Sequence, residues 1–537
     1  MSPRRLATIC VVALALASAT AFTQALPNLS SLRVEYNTRK ATVKPEGELK
    51  VQIDQIDREI AEAVRLGRGG EVRRLLAKGM TLLGGTPWTD ISEFQAALTI
   101  RTDRLIIDSS VPYRVRLEQI FAPAIELTRP LRAHATLRVR VPPPLGLDGM
   151  PLTTASASAR PGVVQNRSQQ TSTTSSPIEL GTFDGVGRDL RESPFKIDLN
   201  VATVPDGAYT LAIEVRDQDR LLGRATLPVA IHKGLDARLR ALESAASKAP
   251  DTTQADLRYL GDVVRKINDG VVSFGTFELE PELAATETVA AAVAKTKKDP
   301  FVGRTGDFER HYLLQDANEI MPYRLLVPAS YDGARAFPLI IALHGLGGTE
   351  DAFFDSYGKR LPALAAERGY IVAAPLGFRV DSFYGASIGL SLAAAAERQA
   401  QLGEQDVMEV LRRMRADYKI DDARIYLMGH SMGAIGTWAL AAKYPDIWAA
   451  IAPFAGFARP ATADRMKAIP QFVVHGDADT TVPVAGSRTI VAALEKIGTE
   501  VTYVEVPGGT HRDVVVPNLA AMFDFFDRHR KTKEPSR

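Results

Sequence analysis

Cysteine is almost absent from this chain. The only one among 537 residues is Cys10. It sits inside an apolar stretch, Ala7 to Ala19, that follows Arg4 and Arg5 and precedes Ala19-Thr20-Ala21. A basic start, a short apolar run and a small-x-small site read as a secretory signal over residues 1–25. Thr8-Ile9 before Cys10 do not supply the Leu-x-x-Cys setting of a lipoprotein. The processed protein is therefore expected to carry no disulfide and no thiolate chemistry, and to be secreted or periplasmic. Its stability must come from large cores rather than cross-links.

Charge of one sign is also missing. The formal charge is +2, and loss of Arg4 and Arg5 with no acidic residue brings it to 0 (2 − 2). Such a balance makes no electrostatic case for nucleic acid or an anionic membrane as partner. After the signal, no uncharged run approaches the roughly 20 residues of a membrane helix. No glycine-rich phosphate loop is present. No His/Cys/Asp/Glu run has metal-ligand spacing, so neither metal nor cofactor is expected. No internal repeat is visible, and the sequence leaves the oligomeric state open.

Three periodicities divide the rest. Leu49, Ile53, Ile56, Ile60 and Val64 fall three and four apart, which predicts one helix. Val72, Leu75 and Leu76 begin a second, so residues 26–90 read as a helical segment containing a hairpin. Over 91–232 the pattern becomes short or alternating. Leu98-Thr99-Ile100, Leu105-Ile106-Ile107, Tyr113 to Leu117, Leu137 to Val141, Tyr209 to Val215 and Leu227 to Ile231 are strand candidates between turn signals. That suggests a β-sandwich. Residues 142–193, rich in Pro, Gly, Ser and Thr, read as an irregular insertion. Residues 233–304 are alanine-rich and helical, a connector.

From 305 to 537 strands alternate with helices, which predicts a mostly parallel sheet with helices on both faces. Tyr323 to Val327, Leu339 to Leu343, Ile371 to Ala374, Ala449 to Pro453, Phe472 to Val474 and Val501 to Val506 are its strands. Val407 to Tyr418 and a segment near Leu519 are helices. Trp438 and Trp448 read as core.

The most telling stretch is Ile425-Tyr426-Leu427-Met428-Gly429-His430-Ser431-Met432-Gly433. An apolar strand runs into Gly-x-Ser-x-Gly and then a helix, the context of a nucleophile elbow. Gly385-Ala386-Ser387-Ile388-Gly389 matches the same pattern, but Asp381 to Tyr384 before it is no buried strand, so Ser387 reads as a loop residue. A serine needs a base, and the base needs an orienting acid. In a sheet of this type they follow the serine as acid and then histidine. His511 lies between the last strand and the last helix; His529 lies among Arg528, Arg530 and Lys531 and reads as a solvated tail. For the acid, the residues alone leave Asp477 and Asp479 open.

His475-Gly476-Asp477-Ala478-Asp479-Thr480-Thr481-Val482-Pro483 resembles the His-Gly-x-x-Asp-x-x-Val-Pro signature of α/β-hydrolase esterases and their peptidase relatives. The resemblance makes Asp479 the triad acid, Asp477 a turn residue and His475 a source of loop hydrogen bonds. His344-Gly345-Leu346-Gly347-Gly348 resembles the His-Gly-x-Gly loop of carboxylesterases. By that resemblance the Leu346 backbone N–H joins that of Met432 in an oxyanion hole, with His344 a brace. With Gly429 to Trp438 and Gly508 to His511 the motifs occur in family order, and the span 305–530 is similar to secreted feruloyl- and polyester-esterase and peptidase relatives of prolyl oligopeptidases. Nothing in the N-terminal half resembles the β-propeller of true prolyl oligopeptidases.

The resemblance implies a serine esterase in which Ser431 attacks, His511 shuttles the proton and Asp479 orients it. Its substrate would be a small-molecule or polymer ester. Phe378, Phe383, Tyr384 and Phe457 follow strand ends and are candidates for a substrate wall, or equally for core beneath the loops. Two other readings use the same chain: a serine peptidase with the same residues, and a polysaccharide- or surface-binding protein whose sandwich does the binding.

Overall fold

A computed structural model describes residues 29–140, 176–271, 279–386 and 394–531. The secretory stretch, most of the Ser/Thr-rich segment and Ser387 lie outside the described residues. The chain divides into two compact units. One comprises the described residues to 140, then 176–237 and 263–271; the other comprises 238–262 and 279 onward. Residues 238–262 and 279–304, expected as part of a connector, thus belong to the unit of the α/β sheet.

In the first unit, helices span Leu29–Val43, Gly47–Arg65 and Gly69–Leu83. The middle one buries Ile53, Ile56, Ile60 and Ala63. Val64, expected on that face, is instead exposed. The first helix lies inside the segment 26–90 read as helical, without boundaries of its own in the sequence. It docks by Tyr36, whose ring lies so close to Gly79 that a methyl there would meet Cε2 at 2.5 Å.

The same unit carries β1 (Leu98–Thr102), β2 (Ile106–Asp108), β3 (Tyr113–Gln119), β4 (Leu131–Val139), β5 (Ile178–Val186), β6 (Phe195–Leu199), β7 (Gly207–Asp217) and β8 (Arg220–His232). They form two sheets, β1-β3-β6 and β2-β8-β7-β4-β5. Alternate residues are buried, as in Val115 and Leu117 of β3 or Leu211, Ile213 and Val215 of β7. β5 corrects the sequence reading, because it lies inside the stretch expected to be irregular. It is an edge strand with Gly181 and Gly185 at φ of 135° and 80°. Edge position and interrupting glycines remove the apolar alternation that marks a strand.

The second unit is built on an eight-stranded sheet among the described residues. Its strands are β9 (Gly306–Leu314), β10 (Glu319–Val327), β11 (Phe337–Leu343), β12 (Ile371–Pro375), β13 (Ile420–His430), β14 (Ala450–Phe454), β15 (Gln471–Gly476) and β16 (Val501–Val506). The order is β9-β10-β12-β11-β13-β14-β15-β16. β10 runs antiparallel to both neighbours, and the pairs from β12 through β16 are parallel. This is the α/β-hydrolase arrangement. β11 is buried at every residue, because helices cover both faces and leave no polar side to alternate. Leu339, Ile341 and Leu343 meet helices Ala394–Asp417, Met432–Lys443 and Ala485–Lys496 in one core. Ile340 and Ala342 meet helices Arg360–Arg368 and Val515–Arg528 in the other. Among the described residues no helix is long and apolar enough to cross a membrane.

Buried Arg310 on β9 ties residues 238–262 to this sheet. Its guanidinium donates to Asp256 Oδ2 at 3.2 Å, the Thr252 carbonyl at 2.8 Å and Asp299 Oδ2 at 3.1 Å. Removing one partner of a buried ion pair strands the others, which typically costs about 3–5 kcal/mol. Arg310→Met is therefore expected to lower the stability of this unit by that amount, read from its urea unfolding transition. A loss below about 1 kcal/mol would show that the network contributes no more than a surface pair.

Candidate active site

The loops that follow β11, β13, β15 and β16 meet at the C-terminal edge of the parallel strands. In open α/β sheets this edge is where ligands bind. Gly429 pairs with Leu343 on one side and Pro453 on the other, so the chain reaches Ser431 between two neighbours. There is little room. A methyl built on Gly433 would lie 1.9 Å from the Leu343 carbonyl oxygen, and one on Gly429 2.3 Å from that of Gly433. Only glycine fits either place. The turn this forces puts Ser431 at φ 57°, ψ −116°, as N-cap of helix Met432–Lys443. A non-glycine residue in that region is strained, and such strain is found where the surroundings over-determine it.

The Ser431 hydroxyl donates to His511 Nε2 at 2.8 Å. His511 Nδ1–H donates to Asp479 Oδ2 at 2.7 Å. These directions follow from the partners, since a carboxylate can only accept. The other oxygen, Asp479 Oδ1, accepts the backbone N–H groups of Thr481 and Val482 at 2.8 and 2.9 Å. Burial by itself would raise this carboxyl. The His511 hydrogen bond, the two N–H donors and the His511 charge outweigh it and hold Asp479 below the usual range. The line of atoms can therefore carry a proton from hydroxyl to imidazole and keep the resulting cation against a carboxylate.

Asp477 stands apart: its Oδ1 accepts the Gly508 N–H at 2.6 Å and closes the turn between the two loops. His475 does more than hold its loop. It is fully buried, and its Nε2 faces both the Val482 carbonyl at 2.9 Å and Asp479 Oδ2 at 3.1 Å, while Nδ1 meets Ser487 Oγ at 2.7 Å. His344 bonds the Leu376 and Gly345 carbonyls, each at 2.8 Å. A methyl on Gly345 would lie 3.4 Å from Ser431 Cβ, so the loop of Leu346 runs directly beside the serine. Met432 is the first residue of the helix after it. His529 is not a solvated tail, because its ring nitrogens face the Phe525 carbonyl at 2.7 Å and the Glu500 carboxylate at 2.9 Å, both acceptors, and so close the last helix.

The aromatic candidates for a substrate wall separate. Tyr384 is fully buried; its hydroxyl donates to the His344 carbonyl, and its ring fills the space left by Gly377 and Gly436. Phe378 is buried too, with its N–H on Asp406 Oδ2 at 2.7 Å. Both are core, a correction to their reading as substrate wall. The reason is that buried Asp406 pins their loop inward. Phe383 packs partly buried on the same core, and Phe457 is half-buried.

One participant escaped the sequence reading. His430, the residue before the serine, donates from Nε2 to the His511 carbonyl at 2.8 Å and accepts the Tyr357 hydroxyl at Nδ1, 2.9 Å away. It therefore braces the backbone of the very residue that faces Ser431. Its place inside Gly-x-Ser-x-Gly was visible, but its partners are distant in sequence. Burial, then the charge of nearby His511, push its pKa down to about 3. Among the described residues, no group of carboxylates and histidines near enough to share a metal ion includes Ser431, Asp479 or His511.

Comparison with known proteins finds similarity in this part of the chain. The Esterase family model matches residues 315–513. Feruloyl esterase B of Neurospora crassa is 33% identical over 132 residues, covering 25% of this chain and 43% of the relative. Poly(3-hydroxyalkanoate) depolymerase C of Paucimonas lemoignei is 31% identical over 120 residues, 22% of this chain and 28% of the relative. The chain thus spans less than half the length of either. A solved thermostable esterase aligns over 81% of this chain and all of its own at 16% identity and a TM-score of 0.37.

The neutral, buried state of His430 has a pH signature. Its folded pKa lies below its unfolded one, so the unfolded chain binds the extra proton between about pH 6.5 and 3. Stability contributed by the neutral ring is whole above that window and falls as pH drops through it, by at most about 1.4 kcal/mol per pH unit. His430→Phe is expected to flatten this slope in pH-dependent melting; an unchanged slope would place the acid sensitivity elsewhere. From the sheet order, residues 306–531 form an α/β-hydrolase domain, and over 315–513 the chain is similar to esterases.

Proposed function

We propose that the protein hydrolyses carboxylic esters through an acyl-enzyme on Ser431. The observation that carries this reading is the unbroken line from Asp479 through His511 to a serine held at a strained turn. His511 Nε2 takes the hydroxyl proton as Oγ attacks the ester carbonyl, then gives it to the leaving alcohol. Water repeats the sequence in reverse and frees the acid. Asp479 keeps the imidazole in the tautomer whose Nε2 faces the serine and stabilises the imidazolium.

The backbone N–H groups of Leu346 and Met432 are the proposed oxyanion donors. Met432 begins a helix, where the first N–H groups lack intrahelical partners. The Leu346 loop is within contact distance of Ser431 through Gly345. No cofactor enters this sequence of steps. Partial relatives are a feruloyl esterase and a poly(3-hydroxyalkanoate) depolymerase, and they point to feruloyl esters or polyesters as the first substrates to try. The N-terminal basic-apolar-small pattern supports action outside the cytoplasm.

The test uses a short-chain aryl ester and the matching anilide. Ser431→Ala and His511→Ala are each expected to lower ester kcat by about 10⁶, and Asp479→Asn by about 10⁴. Wild-type turnover confined to the anilide would move the reading to a peptidase. Turnover of the ester that survives Ser431→Ala would remove the serine from the mechanism.

A further inference from the structure

Three carboxylates from separate parts of the α/β unit come together behind the His344–Gly348 loop. Glu309 lies on β9, and Glu350 and Asp351 follow that loop. Ligand oxygens of the three lie within 4.8 Å of one another. Acidic groups cluster on many surfaces with no ion, so the decisive residue is Glu350. It is only 6% exposed, and its Oε2 is buried without a hydrogen-bond partner. A buried carboxylate oxygen with nothing to accept from is costly, and natural folds rarely leave one so without a reason.

The cations nearby do not reach it. His311 Nε2 meets Glu309 Oε1 at 2.7 Å, but the other ring nitrogen faces Asp256. Arg324 meets Asp351 Oδ1 at 2.8 Å while also binding Asp307 and Asp355. Each positive charge is divided among several carboxylates. Burial first, then the charges of Asp351 and Glu309, hold the Glu350 carboxyl well above its ordinary range. Burial and Glu309 raise Asp351 as well, against the pull of Arg324. The cluster is short of positive charge around the buried, unpartnered Oε2 of Glu350.

We propose that Glu309, Glu350 and Asp351 bind one hard divalent cation, Ca²⁺ by its tolerance of irregular geometry. All-oxygen donors favour Ca²⁺ or Mg²⁺ over softer metals. Ca²⁺ takes six to eight oxygens at about 2.3–2.6 Å in flexible geometry, which suits carboxylates fixed by separate elements, whereas Mg²⁺ demands a near-ideal octahedron at about 2.0–2.1 Å. Glu309 and Asp351 are half-buried, which leaves a path for the ion and places for water to complete its shell. The ion would join the edge strand β9 to the chain leaving the Leu346 loop. It takes no part in the proposed ester chemistry, so the two readings stand or fall separately. Sequence spacing hides the site, because Glu309 and Glu350 meet only in the fold.

The test is calcium binding by the full chain after removal of metal with a chelator. Calorimetric titration with CaCl₂ near pH 7.5 is expected to show one saturable site per chain, with Kd on the order of 10⁻⁴–10⁻³ M and weaker binding of MgCl₂. Saturating Ca²⁺ is expected to raise Tm by about 2–4 °C. Glu350→Gln keeps the shape and removes one charge. It should fold, melt in chelator at or above the wild-type temperature, and lose the Ca²⁺ response. Absence of saturable Ca²⁺ binding by the wild type overturns the proposal, as does a full response in Glu350→Gln. A cluster that holds a proton instead would show no Ca²⁺ binding and a chelated Tm that falls with rising pH, which also overturns it.

Discussion

Gly433 approaches the Leu343 carbonyl so closely that no side chain could stand between them. That contact sets the path of the chain between β13 and its helix, and with it the left-handed backbone of Ser431. The hydroxyl is consequently carried on two rigid elements rather than on a loop. The same contact brings the end of β11 against the elbow, so the Gly345–Leu346 backbone lies beside the serine without any side-chain recognition. A site built this way needs glycine at two positions, while the proposed oxyanion donors at Met432 and Leu346 are backbone N–H groups, so their side chains can be ordinary apolar ones.

Around that fixed point the other groups are held from behind. Asp479 receives two backbone donors on one oxygen and His511 on the other, with buried His475 packed against the second. His511 is fixed at its side chain by Asp479 and at its carbonyl by His430, which Tyr357 holds in turn. His430 and His475 serve a third, and burial keeps His430 neutral so that it can brace without adding charge. Positions of the Ser431, His511 and Asp479 side chains are thus over-determined, as the proposed proton transfer over hydrogen-bond distance requires.

Much of this was legible because it is local. Gly429 to Gly433 sits at the end of an apolar run, His475 to Pro483 begins at the end of buried β15, and Gly508 to His511 follows the half-buried edge strand β16. Asp479 was separable from Asp477 only by resemblance, and the structure gives the physical difference: Asp477 spends its oxygen on the Gly508 N–H. What the sequence hid depends on distance along the chain. His430 touches Tyr357 and His511, and Glu309 meets Glu350, through packing that no spacing encodes. Tyr384 and Phe378 looked like wall residues because they follow strand ends, yet Asp406, on a helix further along the chain, pulls their loop into the core. β5 was lost because an edge strand with two glycines carries no alternation.

The central claim is that Ser431 is the nucleophile and that its surroundings alone activate it. Covalent trapping tests this most directly. The full chain would be treated with a fluorophosphonate and the modified peptide located by mass spectrometry. The account predicts one adduct per chain, on Ser431, and none when His511 is replaced by alanine. An adduct on Ser387 or another serine, or no adduct on a folded protein, would contradict it.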